Sequence, residues 1–364
     1  MLKAFKYRLY PTRKQAGVLT THLEECRILY NHFLADRIQA YQDRSESLTC
    51  YDQCKRLPFL KEDRPSLTQV HSQVLQNVAI RVDLAFKAFF RRCKAGDKPG
   101  FPRFKGLGRY DSLTYPQGGG FTLKESWLRL GKIGNVSIKQ HGPFAGTPKT
   151  CTVRRSATGK WYATIVCAVE PQPMPDSTEA VGIDVGLARF ATLSNGQQID
   201  NPRFFRQDED ELAKAQRKLD KAAKGTPARV KARKVVARMH ERIRFRRHDF
   251  AHQLARRLVS HYGLISVEDL TINGMVHNRC LAKSIHDAAW SQFRQVLSYK
   301  AEEAGRTLVA VNPAYTSQDC SQCGHRLRKA LAQRRHICPC CGLNLDRDEN
   351  AAKNILRLGL QSQG

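Results

Sequence analysis

An aspartate set between two glycines in an apolar strand constrains this chain more than any other stretch. Residues 180–190 read AVGIDVGLARF, and ATLSNG follows as a return strand. Side chains alternate along a strand, so Ile183 and Val185 share one face while Gly182, Asp184 and Gly186 share the other. That pattern puts Asp184 on an open face, where a carboxylate is costly to bury without a partner or a metal. The same residues also suit an aspartate in a hairpin turn, so other acids must decide between the two.

Two further acidic stretches matter. Gly263–Leu270, GLISVEDL, reads as a strand ending in Glu268 and Asp269, with Glu268 on the face of Leu264 and Ser266. Asp346-Arg347-Asp348-Glu349-Asn350 precedes Ala351–Leu358, a run of good helical composition. Separately each has an ordinary reading, as a strand-end acid capping a turn or as a helix N-cap. Together they put carboxylates on a first strand, a later strand and the start of a last helix. Two Mg²⁺ ions about 4 Å apart need such a set for phosphodiester cleavage, and glycine neighbours would let the phosphate approach.

Between the second and third acids stand Cys320-x-x-Cys323 and Cys338-x-x-Cys341, with 14 residues intervening. Each pair offers two thiolates on one knuckle, and the four make a tetrahedral structural zinc site with no position left for water. Cys340 could compete with Cys341, but knuckle geometry favours Cys341. The remaining cysteines, Cys26, Cys50, Cys54, Cys93, Cys151, Cys167 and Cys280, follow no repeating spacing and read as small apolar residues or idle thiols. Disulfides are disfavoured because nothing suggests an oxidising compartment: residues 1–11, MLKAFKYRLYP, lack an apolar signal core. No apolar run approaches the roughly 18 residues a membrane helix needs; Trp161–Val169 reads better as a buried strand. The expectation is an intracellular, cytoplasmic protein.

Charge names the partner class. Among 364 residues, 61 Lys+Arg against 33 Asp+Glu leave +28, far beyond what solubility asks, so the surface wants a polyanion. Residues 205–261 form a long, strongly basic helical region whose arginines recur every three or four residues, a pattern for phosphate contact. Residues 94–105, KAGDKPGFPRFK, combine turn formers, basic side chains including Lys98, Arg103 and Lys105, and two phenylalanines, suited to gripping a nucleic-acid backbone or simply to a basic loop with packed rings.

The rest of the chain supplies organisation. A strand is expected over 2–10, ended by Pro11, then a helix over 14–42. A second helix is expected over about 67–93, its apolar face made by Val70, Val74, Val78, Ile80, Val82, Leu84, Ala85 and Phe89. Short strands broken by Gly and Pro fill 114–169, and the proline-rich PQPMPDSTEA, 171–180, is the best interdomain linker.

In order, GIDVGLARFATLSNG, ISVEDLTINGM, TSQDCSQCG, CPCCG and DRDENAAKNI resemble the TnpB family, transposon-encoded proteins related to the type V CRISPR effectors. FKYRLYPTRKQ, HSQVLQNV and KPGFPRFKG extend the resemblance over nearly the whole chain. It implies an α/β nuclease domain of RuvC-like (RNase H) fold at 177–364, with the zinc ribbon inserted at about 315–343. It implies a recognition lobe at 1–176, with a β-rich wedge at about 1–14 and 110–170 and a helical region at about 15–109. The implied activity is RNA-guided cleavage of double-stranded DNA next to a short motif, by one protein per guide RNA derived from the transposon end. By motif, Asp184 and Glu268 are the first two catalytic, Mg²⁺-holding carboxylates and Asp348 the third, with Asp346 the alternative. Ser72, Gln73 and Gln76 are candidates for contact with the adjacent DNA motif. Other readings are a nuclease-inactive RNA-guided repressor, a transposase joining DNA ends, and a zinc-ribbon nucleic-acid binder without catalysis; the last leaves the glycine-flanked Asp184 unexplained.

Overall fold

The computed structural model describes residues 1–140, 145–330 and 333–363; parts of the expected β-rich wedge (141–144) and ribbon (331–332) lie outside the described residues. The chain divides into two compact units, Met1–Glu170 and Pro171–Gly364.

The first unit opens with β1 (Leu2–Tyr10), which stops at Pro11, a residue with no backbone donor. Helix α1 (Arg13–Arg44) starts on a capping box: the Thr12 hydroxyl accepts from the Gln15 N–H while the Gln15 side chain accepts from the Thr12 N–H. Two short helices, α2 (Cys50–Lys55) and α3 (Leu57–Asp63), and a 3-10 turn at Pro65–Gln69 lead to α4 (Ser72–Lys94). The helix expected from residue 67 therefore begins at 72, because Val70 is extended. Its buried stripe keeps Val74, Val78 and Val82 of the expected face but not all of that face. Val74, Leu75, Val78, Ala79 and Val82 face the core, whereas Ile80 and Leu84, on the far side of a 3.6-residue turn, are 37% and 57% exposed.

The strands β2 (Ser112–Tyr115), β3 (Phe121–Leu123), β4 (Trp127–Leu130), β5 (Gly134–Lys139), β6 (Thr147–Arg155) and β7 (Trp161–Ala168) join β1 in one antiparallel sheet, ordered β2-β6-β7-β1-β5-β4-β3. Strand β7 alternates buried and half-buried residues, as a sheet with one core face requires. Leu9, Leu128 and Ile165 of the sheet, Leu19 and Phe33 of α1, and Val78 of α4 share this unit's core.

The second unit is built on a five-stranded sheet of β8 (Ala180–Val185), β9 (Arg189–Leu193), β10 (Gln198–Asp200), β11 (Leu264–Glu268) and β12 (Thr307–Val311), ordered β10-β9-β8-β11-β12. Strands β8, β11 and β12 are parallel, and β9 and β10 run back as an antiparallel meander. The return turn comes at 186–188, so the expected long strand is two shorter ones. Helices α5 (Phe204–Lys221) and α6 (Pro227–His261) connect β10 to β11. The expected single helical region is thus a hairpin, broken between Lys221 and Pro227, where Gly225 has φ 85. Helices α7 (Ile272–Met275), α8 (Arg279–Ala288) and α9 (Trp290–Glu303) connect β11 to β12. The cysteine-bearing segment, with its small ladder β13 (Arg335–Ile337) and β14 (Asn344–Asp346), leads into α10 (Arg347–Gln361).

Alternation gives the two central strands different faces. Val181, Ile183, Ile265 and Val267 bury against Leu254, Ala255 and Leu258 of α6 and Phe293 and Leu297 of α9. The opposite face carries Gly182, Asp184, Ser266 and Glu268, and it is not open: α10 lies across it. A Cβ on Gly182 would stand 2.1 Å from the Ala352 carbonyl oxygen and 2.6 Å from the Leu356 nitrogen, and one on Gly359 would stand 1.8 Å from the Ser266 hydroxyl. Gly182 therefore admits the helix backbone rather than a phosphate. Among the described residues no helix is long and apolar enough to cross a membrane.

Gly182→Ala should destabilise the second unit by about 1–3 kcal/mol, since neither clashing atom belongs to a movable side-chain tip. Denaturant unfolding checks this, and an unchanged midpoint would mean α10 does not approach β8 so closely.

Candidate active site

The parallel register sets the first two acids level. Ser266 stands beside Gly182 and Val267 beside Ile183, so Glu268 comes beside Asp184 on the face covered by α10. Helix α10 delivers the third acid at its first turn. Asp346 is its N-cap, one carboxylate oxygen accepting from the backbone N–H groups of Asp348 (2.9 Å) and Glu349 (3.4 Å). Asp348 instead meets Arg347 Nε at 3.2 Å and Arg334 at 3.7 Å. Glu349 pairs with Lys353 at 2.9 Å, and Asp269 with Arg294 at 2.6 Å.

Asp184 lies within electrostatic reach of the other acids. Burial, then the charges of Glu268, Asp348 and Asp346, push the Asp184 carboxyl well above the usual carboxylate range, with Arg347 opposing. Burial also raises Glu268, partly offset by a hydrogen bond from the Thr316 hydroxyl to its Oε1 at 2.5 Å. Half-buried carboxylates set side by side suit a hard divalent cation, which would relieve the repulsion at Asp184.

The cysteines converge as their spacing predicts. The Sγ atoms of Cys320, Cys323, Cys338 and Cys341 all lie within 4.8 Å of one another, with Cys320–Cys341 and Cys323–Cys338 at 3.6 Å. Zinc bound to sulfur at about 2.3 Å in a tetrahedron would separate its sulfurs by about 3.8 Å, so the set fits this metal. Cys340 is exposed and outside the cluster. Each knuckle turns on a glycine of positive φ, Gly324 (76) or Gly342 (73). Gly324 N–H donates to the Cys320 carbonyl at 2.9 Å and Gly342 N–H to the Cys338 carbonyl at 3.0 Å. Backbone N–H groups of Cys341 and Cys340 aimed at Cys338 pull its thiol down, while the neighbouring thiols push Cys341 up.

This segment is stitched to the acids by residues the sequence reading did not single out. Asn350 and Asn354, 0% and 1% exposed, project four residues apart from α10. Asn350 Nδ2 donates to the Asp319 carbonyl at 2.8 Å and its Oδ1 accepts from Ser321 N–H at 2.9 Å. Asn354 Nδ2 donates to the carbonyls of Thr316 (2.9 Å) and Asp319 (2.7 Å). The Asn-x-x-x-Asn spacing in NAAKN was the visible signal, since residues four apart share a helix face.

The remaining candidates lie in the other unit and are not part of this cluster. On α4, Ser72 and Gln76 are exposed, while Gln73 is half-buried with its Oε1 unpartnered. In the basic loop Lys98 and Arg103 are exposed; Lys105 is half-buried, its backbone held by Asn31 and Arg27 and its ammonium 5.5 Å from the Tyr30 ring. Phe101 packs edge-on against Phe86 and Phe89, whereas Phe104 is 57% exposed. Several arginines of the α5–α6 hairpin make contacts within the fold: Arg242 and Arg246 pair with Asp208, Arg247 with the buried Asp287, and Arg229 donates to carbonyls of Leu219 and Ala222.

Comparison with known proteins places these features in one lineage. An OrfB family model of IS605 type, described as "Probable transposase", matches residues 164–279; a Cas12f1-like TNB domain matches 290–355; and a "Helix-turn-helix domain" matches 1–46, here a strand and one long helix. A Streptomyces pristinaespiralis protein named "Putative RNA-guided DNA endonuclease" is 37% identical across 98% of this chain and 89% of its own length. The chain belongs to the TnpB family. Another member, "Putative RNA-guided DNA endonuclease InsQ" of Escherichia coli strain K12, is 30% identical over 98% of this chain and 92% of its own length. The fold is shared with a Cas12f1 chain solved with guide RNA and target DNA, at TM-score 0.59 and 14% identity over 94% of this chain and 83% of that one.

Two outcomes follow for this TnpB-family protein. Without metal, folded Asp184 keeps a proton that the unfolded chain releases, so stability falls as pH climbs above about 4. Asp184→Asn should melt a few degrees higher than the parent at neutral pH, the gain vanishing below about pH 4; lower melting at neutral pH would mean the carboxylate supports the fold. Elemental analysis should find one zinc per chain, absent after Cys320→Ser with Cys323→Ser, and unchanged zinc would remove the ribbon site.

Proposed function

We propose that the protein is an RNA-guided DNA endonuclease that cuts double-stranded DNA by metal-dependent phosphodiester hydrolysis. The observation that carries this reading is the convergence of Asp184, Glu268 and Asp348 at one end of the β8–β11 pair and the first turn of α10. The sheet order, three parallel strands extended by an antiparallel meander, supports a RuvC-like nuclease domain at about 177–364 with the cysteine segment as its inserted ribbon. The names of the relatives support the same activity, and the Cas12f1 complex supports guide RNA and target DNA as partners.

Asp184, Glu268 and Asp348 would hold two Mg²⁺ ions, which supply activation of a water and stabilisation of the leaving oxygen. Asp346 is the alternative third ligand, with one oxygen capping α10 and the other not used in the cap. Arg347 and Arg334 orient Asp348 and offset charge before a cation enters. The zinc in the four-cysteine site would be structural. Residues 1–176 form the recognition lobe, in which Ser72, Gln73 and Gln76 read the adjacent DNA motif while Lys98, Arg103 and Lys105 hold nucleic-acid backbone. One copy of the chain acts per transposon-derived guide RNA, in a prokaryotic cytoplasm and on the nucleoid when bound to DNA.

The test is to purify the protein with its bound RNA and incubate it with Mg²⁺ and DNA that matches the RNA beside a randomised flank. Guide-dependent cuts are expected, with Asp184→Ala lowering the rate by at least about a thousand-fold while retaining DNA binding. Binding without cuts would indicate a repressor; strand-transfer products would indicate a transposase.

A further inference from the structure

We propose that Thr316 is a positioning residue for Glu268, set in place by the root of the four-cysteine segment. The proposal rests on the reading of Glu268 as a metal-holding carboxylate. Thr316 is 4% exposed and donates its hydroxyl proton to Glu268 Oε1 at 2.5 Å. A hydroxyl has one proton, and the Pro313 carbonyl at 3.1 Å also competes for it. The shorter distance and the charge of the carboxylate direct it to Glu268.

The threonine is itself held. Its carbonyl accepts from Asn354, which with Asn350 grips Asp319 and Ser321 at the entrance to the first knuckle. Helix α10 therefore fixes two things at once: Asp348 directly, through its first turn, and Glu268 indirectly, through Thr316. A glutamate side chain has three rotatable bonds, and a buried donor on Oε1 limits its freedom while leaving Oε2 for a cation. The lone hydroxyl in the contact makes Thr316→Val the informative change, since valine keeps the shape and loses the donor.

The experiment compares Thr316→Val, Thr316→Ser and Glu268→Gln ribonucleoproteins for zinc content, melting, Mn²⁺ binding by electron paramagnetic resonance, and the Mg²⁺ dependence of single-turnover cutting. Thr316→Val should keep zinc, melting and guide-directed DNA binding, yet bind Mn²⁺ about ten-fold or more weakly and need correspondingly more Mg²⁺. Thr316→Ser should restore both metal readouts. Parental Mn²⁺ affinity and Mg²⁺ dependence in Thr316→Val would overturn the proposal, as would zinc loss or early melting, which would assign the threonine to the fold. Glu268→Gln cutting at the parental rate would instead remove the reading on which the proposal stands.

Discussion

The approach of α10 to the sheet decides where the acidic side chains gather. At Gly182 the helix backbone occupies the space a Cβ would fill, and at Gly359 the helix yields that space to Ser266. Two missing side chains thus lock the helix across β8 and β11. From that position its first turn falls beside Asp184 and Glu268. The N-terminal end of a helix favours negative charge, which helps it carry Asp346, Asp348 and Glu349 in close succession.

Gathering these acids costs stability, and the surrounding residues show how the cost is distributed. Asp184 bears most of it, raised by burial and by its acidic neighbours. Arg347 and Arg334 offset Asp348, Thr316 offsets Glu268, and Asp346 is absorbed into the helix cap. The asparagines of α10 bind the root of the cysteine segment by four hydrogen bonds, so metal site and acidic cluster share one scaffold. Loss of order in the knuckles would be felt at Glu268.

Strand alternation in GIDVG and ISVED was legible because both strands have one fully apolar face, and the cysteine knuckles because their spacing leaves little freedom. What escaped the sequence depends on tertiary packing. Gly182 looked like clearance for a substrate, yet what fills that clearance is a helix over 160 residues further along. The apolar face of α4 is narrower than its apolar residues suggest, because Ile80 and Leu84 fall on the far side of the helix from Val74, Val78 and Val82. The basic run 205–261 shows its charge in the sequence but not its internal partners: ion pairs across the α5–α6 hairpin and to α8 engage several of its arginines. Thr316 and the two asparagines carry no charge, and although the spacing of Asn350 and Asn354 puts them on one helix face, only the hydrogen bonds show what they hold.

The central claim is that Asp184, Glu268 and Asp348 form one divalent-cation site. Anomalous diffraction from crystals of the guide-RNA and DNA complex grown with Mn²⁺ tests it most directly. Two peaks about 4 Å apart, ligated by these three carboxylates and a DNA phosphate, are the predicted result. Manganese bound elsewhere, with the three carboxylates left without metal, would contradict it.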